Sequence, residues 1–142
     1  MRSIRYYFTA FLMGIPWYLL LLPFGSGLPL GGELWPANLF AMCLASLGVA
    51  VTFKKKIVSA TDNAFILLGI LLPYYGAFIF GLFVVLFMAI ANLLDNGLLP
   101  DAEALMIPFV CMYYGAFMLF FVTIPMGLIS QKVMHRVAQG DG

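Results

Sequence analysis

The side chains that could do chemistry in this chain are mostly hydroxyls and amides. The pentapeptide Tyr-Tyr-Gly-Ala-Phe occurs twice, at residues 74–78 and again at residues 113–117. Phenols, amides and hydroxyls that converge inside a membrane protein can line a polar path, because each offers hydrogen bonds to a passing solute. The polar side chains that could line such a path are Tyr74, Tyr113, Asn38 and Thr123.

The sequence contains no pattern of residues that is typical of catalysis or of cofactor binding. Ser46 and Thr52 have no base nearby in the sequence, and nucleophilic catalysis requires one. The single histidine is His135, and Cys43 and Cys111 lie in separate apolar stretches without a Cys-x-x-Cys pair. The nine methionines share no close spacing and are typical of packing residues. We therefore expect no enzymatic activity, no metal and no cofactor.

The composition indicates that lipid, rather than water, surrounds most of the chain. Hydrophobic residues make up 64% of it and charged residues only 9%, with a mean hydropathy of +1.06. Soluble domains carry about 25% charged residues, and a chain of 142 residues cannot hide this much apolar surface in a water-soluble core. The net charge of +1 and the lack of a basic stretch beyond residues 54–56 argue against a nucleic-acid partner.

Charged residues divide the chain into four apolar blocks, approximately residues 6–22, 36–53, 64–94 and 104–131. A helix needs about 20 apolar residues to cross about 30 Å of hydrocarbon. Backbone polar groups cannot remain unpaired in lipid, so each block is predicted to be helical. We therefore predict an all-α integral membrane protein, a single domain of four transmembrane helices in an antiparallel bundle.

The first block has an alternative interpretation as a cleaved signal peptide, since Arg2 and Arg5 precede it. Its apolar stretch is longer than the usual 7–15 residues, and residues 23–27 make a poor cleavage site. A retained helix is favoured.

The distribution of charge predicts the orientation of the helices. All seven basic residues lie near the two termini or between the second and third blocks: Arg2, Arg5, Lys54, Lys55, Lys56, Lys132 and Arg136. The other two connections hold four of the six acids: Glu33, Asp95, Asp101 and Glu103. Cytoplasmic flanks collect Lys and Arg. We therefore predict cytoplasmic termini and a multi-pass location in a plasma membrane, the inner membrane of a bacterium.

Small and weakly polar residues follow one face of the second predicted helix: Asn38, Ala41, Ala45, Gly48 and Thr52. Helices associate in lipid through close backbone approach, so this stripe is predicted to be a contact face. Met42 is expected on a different face. The third predicted helix carries small or kinking residues at steps of four: Gly69, Pro73, Ala77 and Gly81.

The repeated pentapeptide allows two interpretations. Inverted repeats frame binding sites in transporters, and the tyrosine hydroxyls could line such a site. Shared packing explains five identities in so apolar a chain, with Gly76 and Gly115 allowing close contact. We therefore predict a protein that acts by helix contact, as an accessory, immunity or assembly subunit or as the protomer of a homo-oligomer. Its partners would be the lipid bilayer and other membrane subunits or further copies. An oligomeric channel or uncoupled small-molecule transporter is the alternative.

Overall fold

The computed structural model describes residues 2–21, 35–97, 100–117 and 120–139. Helices account for 94% of these residues, and this part of the chain contains no strand. The helices are α1 (Arg2–Leu12), α2 (Gly14–Leu21), α3 (Trp35–Val58), α4 (Asp62–Asn96), a 3₁₀ helix (Ala102–Met106), α5 (Ile107–Phe117) and α6 (Phe120–Gln139). The predicted all-helical class is therefore confirmed for the described residues. Two segments are long and apolar enough to cross a membrane, Trp35–Val58 and Asn63–Asp95.

The first apolar block forms two helices rather than one, with a turn at Met13 between them. Pro16 has no N–H to donate to the carbonyl of Leu12, and its ring crowds that carbonyl. α1 therefore ends at Leu12, where the Met13 N–H still donates to the Thr9 carbonyl at 2.9 Å. The prediction of one continuous helix missed this effect of the proline.

α3 extends five residues past the predicted end of its apolar block, through the three lysines to Val58. Long lysine side chains reach polar surroundings while their stems stay on the helix, so the charges do not end the helix. The connection to α4 shrinks to residues 59–61. α4 ends at Asn96 and is capped by Gly97, which has a positive φ of 66°. The Gly97 N–H donates to the Leu93 carbonyl at 3.2 Å.

The fourth apolar block also differs from the single helix predicted for residues 104–131. It begins as the 3₁₀ helix and becomes α-helical only at Ile107. Pro108 cannot donate a hydrogen bond to the preceding turn, so it fits only the first turn of α5. α6 then continues to Gln139, eight residues beyond the apolar block.

The helices pack mostly with antiparallel neighbours. α3 lies against α1, α2 and α4, while α4 also lies against α5 and α6. The direction of α1 and α2 relative to α3 follows from two contacts. The Tyr6 hydroxyl donates to the Ala50 carbonyl at 3.3 Å, whereas Gly14 lies against the backbone of Cys43. α1 also contacts α6, so the first and last helices are neighbours.

The interior consists of two clusters of buried side chains. The first joins α2, α3 and α4: Tyr18, Ala41, Met42, Ala45, Phe80 and Val84. The second joins α1, α3 and α6: Tyr6, Ala10, Ala50, Ile57 and Met134. α3 contributes to both clusters, which makes it the central helix.

One end of the molecule gathers the start of α1, the end of α3, the start of α4 and the end of α6. Lys54 Nζ donates to the Tyr7 hydroxyl at 3.3 Å, and His135 Nδ1 donates to the Ile57 carbonyl at 3.0 Å. The rings of Phe65 and His135 meet edge to face. We call this the basic end, because the seven Lys and Arg residues belong to three of these four helix ends, those of α1, α3 and α6.

Candidate functional site: the α4–α5 face and the buried polar side chains

The predicted stripe on α3 is buried only in its first half. Asn38 and Ala41 are 0% exposed and Ala45 is 1% exposed, but Gly48 is half-buried and Thr52 is exposed. The Thr52 hydroxyl turns back and donates to the Gly48 carbonyl at 2.8 Å. The first half of α3 packs against α2, whereas its second half packs against α1 and α6. Different faces of α3 are therefore buried along its length.

Met42 is buried, contrary to the expectation that it lies on a different face. It belongs to the same cluster as Ala41. α3 is flanked by α2 on one side and α4 on the other, so its buried arc is wider than a single stripe of small residues.

The tightest approach between α4 and α5 lies at Gly81, just beyond the first copy of the repeat. A Cβ atom added at Gly81 would overlap the backbone of Pro108. At Gly76, an added Cβ would meet Val49 Cγ2 at 3.5 Å, which is an ordinary contact. The surroundings of Gly115 lie outside the described side chains. Close packing therefore depends on Gly81, and Gly76 has room for a methyl group.

The two copies of the repeat lie on α4 and α5, which pack against each other. The Phe78 and Phe109 rings are 5.4 Å apart, and this antiparallel register brings Tyr74 level with the second copy. Tyr74 and Ala77 are half-buried, whereas Tyr113 is 58% exposed. Tyr113 is thus exposed, whereas Asn38 and Thr123 are buried.

Exposed aromatic residues occupy one face of α5. Phe109 and Val110 are separated by one helical turn from Tyr113 and Tyr114, and each of these four side chains is about half exposed. The Tyr113 and Tyr114 rings meet edge to face at 6.1 Å. We call these four residues the aromatic face. Sequence reasoning identified Tyr113 as a packing or conduit residue and left the direction of its ring open, because composition does not reveal which way a ring points.

Among the described residues, three polar side chains are buried: Asn38, Thr123 and Gln131. Gln131 is 3% exposed, and both its amide atoms lack a hydrogen-bond partner among the described residues. The buried hydroxyl of Tyr18 likewise has none in the described part. Buried polar groups normally find partners. Sequence reasoning missed Gln131, since it marked the end of an apolar block rather than a position within a helix.

Among the described residues, hydrogen bonds from partly buried side chains join α1 to α3, α2 to α6 and α3 to α6. The Ser46 hydroxyl donates to the Ala10 carbonyl at 2.6 Å, and Trp17 Nε1 donates to the Ser130 hydroxyl at 3.2 Å. At the basic end, His135 joins α6 to α3 through Ile57, and its Nε2 accepts from Gln139 at 2.8 Å. Such bonds stabilise helix association in lipid. They give Ser46 and His135 structural roles.

The described residues contain no group of three His, Cys, Asp or Glu side chains close enough to hold a metal ion. Comparison with protein-family models, with curated proteins and with solved structures finds no match to this chain. The function therefore has to be argued from the geometry.

Proposed function

We propose that the chain is a multi-pass protein of a bacterial inner membrane that crosses the bilayer four times. The crossings are α1 with α2, α3, α4, and α5 with α6. Apolar side chains exposed along the outer surfaces support this assignment. Five of them follow one face of α1 and α2 at helical spacing: Ile4, Phe8, Leu12, Ile15 and Leu19. A water-soluble monomer rarely exposes such continuous apolar surface, whereas lipid solvates it.

The basic end lies in the cytoplasm in this proposal. Lys and Arg concentrate on cytoplasmic flanks, and the three helix ends that carry them are gathered together in space. Both termini and the connection at residues 59–61 would then be cytoplasmic. The acidic connections, including Asp101 and Glu103, would face the opposite side.

Its role is to contact another membrane-embedded chain, as an accessory, immunity or assembly subunit or as a protomer of a homo-oligomer. The aromatic face carries this proposal. Tyr113 is 58% exposed and Tyr114 is 54% exposed. Both lie about one and a half to two helical turns from the start of α5. Tyr favours the edges of the bilayer when it faces lipid and is enriched at protein interfaces. A partner helix would cover these rings.

Site-specific photocrosslinking in membranes tests this role. A photoreactive phenylalanine analogue replaces Tyr114, and in a matched protein it replaces Leu86, which is 49% exposed on α4. We expect one discrete protein adduct from position 114 and only lipid adducts from position 86. An adduct of twice the chain mass identifies a homo-oligomer, and any other mass identifies a different subunit. Lipid adducts alone at both positions would contradict a contact role.

A second candidate, an oligomeric channel or uncoupled small-molecule transporter, is favoured by one observation. The amide of Gln131 and the hydroxyl of Tyr18 are buried without hydrogen-bond partners among the described residues. Together with Asn38 and Thr123 they could border a hydrated path. The exposed Tyr113 belongs to the aromatic face that carries the contact proposal, and we rank this candidate second. Neither role involves a catalytic step.

A further inference from the structure

A groove opens between the last turn of α3 and the first half of α4. Its volume is about 520 Å³, within the range of about 300–1,000 Å³ that is typical of small-molecule sites. The aromatic face on α5 contributes nothing to its lining. The groove is therefore a separate feature from the proposed contact surface.

The groove is polar at one end and apolar along its length. Lys56, Ser59 and Thr61 line the end next to the connection between the helices. The walls then continue along α4 with Leu68, Leu71 and Tyr75. From Thr61 to Tyr75 the groove follows α4 for roughly 21 Å at 1.5 Å per residue. A ligand that fits it has a polar head and a long apolar tail.

The charge at the polar end favours an anionic head. Of the three consecutive lysines, Lys56 is the one that lines the groove. Lys54 is turned toward Tyr7, whereas Lys56 lies at the groove, with its Nζ 5.7 Å from the centre of the Phe53 ring. The Thr61 hydroxyl adds a hydrogen-bonding group at the same end, while the Ser59 hydroxyl already donates to the Lys55 carbonyl at 2.8 Å. The Lys56 ammonium and the Thr61 hydroxyl match a phosphate.

We propose that this groove binds an anionic phospholipid of the cytoplasmic leaflet. The phosphate lies at Lys56, and one acyl chain runs along α4 past Leu68 and Leu71. One leaflet provides roughly 15 Å of hydrocarbon, half of a bilayer core, and the apolar walls are long enough to hold a chain of that depth. The inference uses the proposed membrane location but goes beyond the contact role, because the two surfaces share no residue.

Native mass spectrometry of the full-length protein in mild detergent tests the site. Phosphatidylglycerol and phosphatidylcholine with identical acyl chains are added separately, and the retained lipid is counted. We expect preferential retention of phosphatidylglycerol. Lys56→Gln should lower its affinity about five-fold, as expected for one lysine at a membrane surface. The matched control is Lys55→Gln, which removes the same charge from an exposed position outside the groove lining and should have little effect.

A second pair of variants tests the acyl chain. Leu71→Trp fills the groove and should reduce retention of both lipids. Leu82→Trp, at a similarly exposed position on α4 outside the groove lining, should leave retention unchanged. Equal effects of Lys55→Gln and Lys56→Gln, or full retention by Leu71→Trp, would overturn the proposal. A co-purifying protein lost only from Leu71→Trp, with no retained lipid, would overturn it in favour of a protein ligand. Crosslinking at Tyr114 reports on the other surface, so the two proposals can fail separately.

Discussion

At the scale of single residues, Gln131 is the most informative position in the interior. Its amide is 3% exposed and finds no hydrogen-bond partner among the described residues. An unsatisfied buried polar group costs about 1–3 kcal/mol, and in the proposed membrane location the surrounding lipid offers no water to relieve that cost. The Gln131 amide therefore either destabilises the folded protein or binds a polar ligand.

Gln131→Met separates these two possibilities, because Met has a similar length and no amide. If the interior is dry, we expect the variant to be more stable by about 1–2 kcal/mol, measured by thermal unfolding of the purified protein in detergent. Gln139→Met is the control. Gln139 is exposed and donates to His135, so its replacement should give no gain. A loss of stability in Gln131→Met would show that the amide has a polar partner, and would favour the conduit over the contact role.

The sequence predicted some buried residues and missed others for clear reasons. Asn38, Ala41 and Ala45 follow one helical face, and their small size suits close packing, so their burial could be expected from spacing. Met42 and Gln131 could not be placed this way. Whether such a residue faces the interior depends on how many other helices pack against its own helix. The spacing of residues along one helix does not predict how many neighbours that helix has.

At the scale of helices, Gly81 and Gly76 should respond differently to the same change. Alanine is a better helix former than glycine by about 1 kcal/mol, so intrinsic propensity favours both substitutions. Gly76→Ala should be neutral or stabilise by up to about that amount, because the added methyl group meets only an ordinary contact with Val49. Gly81→Ala should destabilise by about 1–3 kcal/mol, because it forces α4 away from Pro108.

Chemical or thermal unfolding of the two purified variants, compared with the unmodified protein, checks this difference. The two sites lie on one helix, which makes Gly76→Ala the control for any general effect of alanine. Equal stability of both variants would mean that α4 and α5 are not in close contact at Gly81.

Helix existence was easier to predict than helix continuity. Long apolar blocks bounded by charge indicated helices over most of the described chain. The interruption at Met13 depends on Pro16, and the 3₁₀ start of the α5 segment depends on Pro108. Proline is compatible with an uninterrupted kinked helix as well as with a break, and the neighbouring helices decide between them.

At the scale of the whole molecule, the proposed orientation is tested by labelling single cysteines in intact cells. Lys55→Cys places a reactive thiol at an exposed position in the last turn of α3, and Asp101→Cys places one at an exposed position just before the 3₁₀ helix. We expect a membrane-impermeant maleimide to label position 101 directly and position 55 only after permeabilisation. The unmodified protein controls for Cys43 and Cys111. Labelling of both new positions from the same side would contradict the orientation.

The composition was sufficient to predict an apolar helical protein, and the charge pattern was sufficient to predict which segments share one end. The groove between α3 and α4 could not be predicted in this way. Lys56, Thr61 and Leu71 are unremarkable in the sequence, and they form a site only because the two helices leave space between them.

The contact between α1 and α6 has a consequence for biosynthesis. Tyr6 belongs to the same buried cluster as Met134, and Trp17 donates to Ser130, so each pair joins an early residue to a late one. While the ribosome is still translating α6, the surfaces of α1 and α2 that will contact α6 are not yet covered. In the proposed membrane location, insertion factors or lipid must cover those surfaces until α6 is inserted. A chain released before α6 would keep this surface uncovered, and membrane proteases could recognise it as incomplete.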